Sequence, residues 1–103
     1  MDQNYRPNAV TLVLDWTAKE VFGKPGTQSV DRSGRPEYVV TVAQVGVGGS
    51  DTYRVTTLSA PPDPVPVGHR VQIDDPVVRI WKADRDNAVP QLVIRSDSVR
   101  VVK

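Results

Sequence analysis

Residues 32–42, Arg-Ser-Gly-Arg-Pro-Glu-Tyr-Val-Val-Thr-Val, bring two guanidinium groups, a glycine, a proline and a tyrosine together at the start of an apolar run. Cations reach phosphates and a ring face stacks on a base, so this mixture has the chemistry to hold a single nucleic-acid strand. Gly34 tolerates positive φ, while Pro36 fixes its own φ and biases Arg35 to an extended conformation. The turn carrying Arg32 and Arg35 is therefore predicted to be stiff, with Tyr38 at the start of the strand that follows. The same residues also fit an ordinary surface hairpin whose charges keep it hydrated.

Only six aromatic side chains occur, and two more of them fall on predicted strands beside cations. Arg54 adjoins Tyr53, and Arg79 and Lys82 bracket Trp81. Alternation sends Arg54 to the face opposite Tyr53 but puts Arg79 and Trp81 on one face, predicted outward, with Val78 and Ile80 predicted inward. Leaving an indole in water forgoes burial worth about 1.5–3 kcal/mol, so an exposed Trp81 would point to a partner. Alternatively it packs beneath the loop at 23–36 or against a neighbouring subunit. Trp16 follows Val10, Leu12 and Leu14 in phase and is predicted to be core.

Catalytic groups are scarce. His69, the single histidine, follows Gly68 at a strand start and fits a solvent-facing or capping role. Asp74 and Asp75 precede Pro76 and read as a turn. Asp31, Asp51, Asp84 and Asp86 are scattered over loops without metal-ligand spacing. The glycines at 46–49 are not followed by the Lys-Ser or Lys-Thr of a phosphate loop. The chain is read as non-enzymatic, with neither cofactor nor metal.

The 103 residues fit one domain, 1–103, and frequent valine with few runs of strong helix formers favours an all-β protein. Nine prolines and seven glycines punctuate it. Without cysteine there is neither a disulfide nor a thiolate metal site, and with neither an apolar leader nor a spanning run a cytoplasmic protein without membrane contact is expected. Thirteen basic against twelve acidic residues make the chain almost neutral, so any nucleic-acid binding must come from local placement.

Period-two alternation predicts a first strand from Val10 that is bulged or bent near residues 18–20, with a short helical turn through 17–22 as the competing reading. Residues 23–36 read as an exposed loop or β-ribbon wing, mobile until bound. Strands from Tyr38 to about Val45 and from Thr52 to about Leu58 form a hairpin across a glycine-rich turn. Four prolines in 60–68 make an extended crossover. A strand from Arg70 is interrupted at residues 74–76 and resumes to Lys82, residues 83–90 form a hairpin loop, and a last strand, 91–102, is kinked around 95–98.

This order of elements resembles OB-fold single-stranded-DNA-binding proteins, in particular the small filamentous-phage type. The residues carrying the likeness are the long first strand, the wing ending Arg32-Ser33-Gly34-Arg35-Pro36 before Tyr38, the hairpin 38–58, the Val67-Gly68 lead into the strand at 70, and the terminal Val101-Val102-Lys103. The stretch from Asp31 to Val40 is also similar to small regulatory or replication proteins of actinobacterial plasmids. The resemblance implies a five-stranded OB-like barrel with an extended loop between its first two strands, binding single-stranded DNA, in preference to RNA, as a homodimer in replication or transfer. By position it carries Arg32 and Arg35 over as the binding wing, and Tyr38 and Tyr53 as aromatics of the central hairpin. The chain departs from that type in being less basic and in its proline-rich 60–68 segment. A small β-barrel that docks a protein, or a structural subunit of a phage or plasmid assembly, is the alternative.

Overall fold

The computed structural model describes residues 5, 6, 9–46, 49–81 and 91–102, and the described residues are all-β. Strands β1 (Thr11–Ala18), β4 (Tyr38–Gly46), β5 (Gly49–Thr57), β8 (Gln91–Arg95) and β7 (Val77–Trp81) form a mixed sheet in that spatial order, in which β5 and β8 run parallel. Two smaller sheets pair β2 (Glu20–Val21) with β3 (Lys24–Gln28) and β6 (Val71–Asp74) with β9 (Ser98–Val101).

β1 buries the opposite face from the one its alternation predicts. Thr11 and Val13 point inward, whereas Val10 and Leu14 are each 44% exposed. The register slips between Val13 and Asp15, leaving Leu14 as the extra residue of a bulge. One added residue inverts the phase of a strand, and Trp16 enters the core for that reason. Its indole nitrogen donates to the carbonyl of Ser59 at 3.0 Å, so the one polar atom of the ring is satisfied.

Val40 and Val42 of β4, Tyr53 and Val55 of β5, Val71 and Ile73 of β6, Ile94 of β8 and Val99 of β9 complete the core with Val13 and Trp16. The predicted hairpin is present over the full length of β4 and β5, from Tyr38↔Thr57 to Gly46↔Gly49. Val47 and Gly48 of its turn lie outside the described residues.

The two predicted interruptions are where the architecture divides. β6 stops at Asp74 and β7 begins at Val77, with Asp75 between them at a φ of 45°. β8 stops at Arg95 and β9 begins at Ser98. The buried Ser96 hydroxyl lies in this second gap, hydrogen-bonded to the carbonyl of Asp74 and, at 2.9 Å, to that of Ser98. One half of each broken strand joins the large sheet and the other half joins the small one. Together with the bridge Leu12↔Arg70 this brings β6 beside β1, but the ladders do not close into the predicted barrel among the described residues.

Residues 58–69 cross without regular strand, as the prolines require. Gly68, at a φ of 84°, gives its N–H to Val13 at 2.7 Å, and His69 accepts from the Val13 N–H at 3.0 Å. These bonds dock the crossover on β1.

Candidate nucleic-acid interface

Of the two readings of residues 23–36, exposed loop or β-ribbon wing, the structure shows a ribbon, and its neck is hydrogen-bonded. β2 and β3 form its outer part, and Lys19, Ser29 and Glu37 tie its base together. Ser29 donates to the Lys19 carbonyl at 2.7 Å, and the Glu37 carbonyl accepts from Lys19 N–H at 3.1 Å and from Gln28 Nε2 at 2.9 Å. The Glu37 carboxylate is buried, accepting from Ser29 Oγ at 2.7 Å and from the Arg95 guanidinium. Burial alone would push this carboxyl up, but the Arg95 and Ser29 hydrogen bonds and the Lys19 charge outweigh it and hold the group below the usual glutamate range.

Beyond the neck, Asp31 builds the turn. Its carboxylate accepts from the backbone N–H groups of Ser33 at 2.9 Å and Arg35 at 2.8 Å, and from Arg35 Nε at 2.8 Å. Gly34 occupies the left-handed region, as predicted, at a φ of 81°. The Arg35 backbone bond, with smaller help from Ser33 and the guanidinium, lowers the Asp31 carboxyl against its own desolvation. Arg35 is thereby aimed but also ion-paired. Arg32 is exposed and has no ion pair among the described residues.

This turn walls a groove of about 560 Å³ whose lining includes Arg32, Ser33, Arg35, Glu37, Arg95 and Asp97. Arg95 also lies on the outer face of the large sheet, where its position on β8 pairs with Thr56 of β5 and Val77 of β7. Alternation puts Arg54 on the Thr56 face of β5 and Arg79 on the Val77 face of β7. Arg79 pairs with Val93, which is the next position in register with Arg54, so the two arginines stand two strand spacings apart, about 10 Å. Arg54 and Arg79 are both exposed and, like Arg32, have no ion pair among the described residues. Lys19 completes the connection from wing to face, donating to the Thr56 hydroxyl at 3.2 Å.

The structure thus puts Arg32 and Arg35 in one groove with Arg95, and Arg54 and Arg79 on the sheet face that Arg95 shares, while the expected rings fare differently. Tyr53 is 6% exposed and packs edge-on against Tyr5, with ring centres 5.3 Å apart. It faces the core because β4 and β5 bury the face carrying Val42 and Val55, so it has no ring face to give a base. Tyr38 is half-buried against the same core. The Trp81 side chain and Lys82 lie outside the described residues. Val78 and Ile80, expected inward, are 42% and 59% exposed, because β7 is the sheet's edge and extends past the core.

Sequence reasoning missed Arg95, Lys19 and Glu37, which join wing to sheet, and Phe22, which is 103% exposed at the ribbon tip. Arg95 was hidden by its place at a strand break, and a contact across 58 positions leaves no local signal. His69 is exposed, and no group of three or more metal-ligating side chains occurs among the described residues. No described helix is long and apolar enough to cross a membrane. The chain matches no protein-family model, and no curated protein matches it significantly.

Proposed function

We propose that this chain is a non-enzymatic single-stranded nucleic-acid-binding protein, taking DNA in preference to RNA, and that it serves replication or transfer of DNA. The observation that carries this reading is the common face of Arg54, Arg79 and Arg95, continuous at Arg95 with the groove bearing Arg32 and Arg35. A face of guanidiniums suits phosphates, and contacts to phosphate carry no sequence information, so the binding is read as sequence-independent. Near-neutral net charge does not oppose this, because Asp31, Glu37 and Asp97 are engaged by Arg35 and Arg95, while Arg32, Arg54 and Arg79 are exposed without an ion pair among the described residues.

The strand connectivity supports an OB-like reading of the fold. The parallel β5–β8 pair, and β6 flanked by β9 on one side and bridged to β1 on the other, are the neighbours a partly open five-stranded barrel needs. Fluorescence anisotropy with oligothymidine across a salt series tests the function. About five cations at the interface give an expected slope of roughly −2 to −4 in log affinity against log salt. No binding at low salt overturns the proposal.

A second reading is favoured by the edge strand β7, where Val78 and Ile80 share one face and are 42% and 59% exposed. Apolar surface of this kind on an edge strand suits a protein partner, including a second copy of the chain.

A further inference from the structure

The tip of the β2–β3 ribbon consists of Val21-Phe22-Gly23-Lys24, with Val21 and Lys24 paired and Gly23 at a φ of 78°. Positive φ at the third residue of a four-residue turn is what glycine supplies there, and it places Phe22 at the apex. The ring is 103% exposed, so it makes no packing contact that would account for it as part of the fold. Such a ring forgoes all its burial.

We infer that Phe22 is a base-stacking residue, a binding point for an unpaired nucleobase separate from the arginine face and reached by the same strand. The inference rests on the single-strand reading above. Three observations select a base over other occupants. First, the ribbon leaves the sheet on the arginine side, since Lys19 and Glu37 at its neck bond Thr56 and Arg95, both on the outer face. Secondly, the tip carries a cation that no described carboxylate engages. The Gly26 N–H orients the Glu20 carboxylate without neutralising it, and Lys24, exposed and without an ion pair among the described residues, can meet a phosphate next to the stacked base. Thirdly, a protein hot spot sits within an apolar patch that excludes water, whereas Phe22 is flanked in the tip by exposed Glu20, Gly23, Lys24 and Pro25 and by half-buried Val21. A single ring against a single base needs no such patch, because every base has a π-face.

The test compares the wild-type chain, Phe22→Ala, Phe22→Trp and Lys24→Ala with oligothymidine. Phe22→Ala is expected to weaken binding roughly five- to 150-fold, the range of one base–aromatic stack, with an unchanged melting temperature. Phe22→Trp is expected to retain affinity and to show tryptophan quenching on DNA addition beyond that of the wild type. Lys24→Ala should reduce the salt slope by about 0.7. If the wild type binds and Phe22→Ala binds equally well, the stacking inference is overturned and the arginine face stands. If the wild type does not bind, both fall. If Phe22→Ala keeps its DNA affinity but loses adsorption to anionic vesicles or self-association, the ring belongs to another partner and the inference is likewise overturned.

Discussion

Glu37 and Arg95, 58 residues apart, close an ion pair in which the carboxylate is 8% exposed and the guanidinium 37% exposed. It is the electrostatic joint between wing and sheet: Arg95 gives Nη1 to Glu37, while its Nε lies 3.7 Å from the exposed Asp97 carboxylate in the groove. The wing is accordingly an anchored arm.

Glu37→Gln removes the charge and keeps the shape, and is expected to cost about 1–3 kcal/mol, toward the lower end because Arg95 stays hydrated. Thermal unfolding checks this. The sign of the pH dependence follows from the lowered Glu37 carboxyl: its stabilisation is fully present above the unfolded glutamate value of about 4.3 and is lost as pH falls through the lower folded value. Glu37→Gln should therefore flatten the acid limb of the stability curve below about pH 4.3. An unchanged acid limb would count against the joint.

The bulge at Leu14 makes a prediction about the core. Trp16→Ala should cost about 3–5 kcal/mol, and Leu14→Ala much less, since Leu14 lies outside the alternation that its neighbours bury. Urea unfolding of the two variants decides it. Equal losses would mean that the strand is not bulged there.

The comparison of Leu14 with Trp16 also shows where sequence reasoning succeeds and stops. Period two correctly locates the first strand, the 38–58 hairpin and the two broken strands, because alternation, glycine turns, the Asp75-Pro76 break and the polar run Arg95-Ser96-Asp97-Ser98 are local signals. Which face of β1 is buried was not legible, since Val10, Leu12 and Leu14 outweigh Thr11 and Val13 in apparent hydrophobicity and a bulge has no composition of its own. The wing's Gly34 turn was readable from Arg-Ser-Gly-Arg-Pro, whereas its anchoring to Arg95 was not. Tyr53 resembled a stacking residue by its neighbour Arg54, yet the register of β4 with β5 turns it inward beside Val42.

The inward place of Tyr53 is therefore open to test by mutation. Tyr53→Ala is expected to destabilise by about 3–5 kcal/mol and to lower DNA binding only through unfolding. In the folded fraction, measured well below the melting temperature, affinity should match the wild type. A folded Tyr53→Ala protein with selectively weakened DNA binding would return Tyr53 to the interface.

The edge position of β7 predicts how the second surface behaves. Ile80→Lys should leave the melting temperature within the small range of surface substitutions, because the side chain is 59% exposed. If the ribbon docks a second copy, sedimentation velocity should show dimer in the wild type and monomer in this variant. A wild type that is monomeric at high concentration removes self-association through β7.

The arginine face is tested by charge removal at sites that hold no structure together. Arg54→Ala with Arg79→Ala takes away two guanidiniums without ion pairs among the described residues, so the fold should be unaffected while the salt slope falls by about 1.4, two units of roughly 0.7. Arg100→Ala supplies the control, because Arg100 lies on β9 in the other sheet and is engaged bidentately by Asp74 at 2.8 Å. Its loss should leave the slope unchanged. The Arg95→Lys variant then asks whether planar geometry matters: a lysine retains the charge but cannot present one edge to Glu37 and another to a phosphate. Affinity for oligothymidine should fall together with wing protection, read as faster amide exchange at Ser29 and Glu37, whose N–H groups lie in the neck. Equal slopes for the Arg54/Arg79 double variant and the wild type would detach the sheet face from the binding site and leave only the wing.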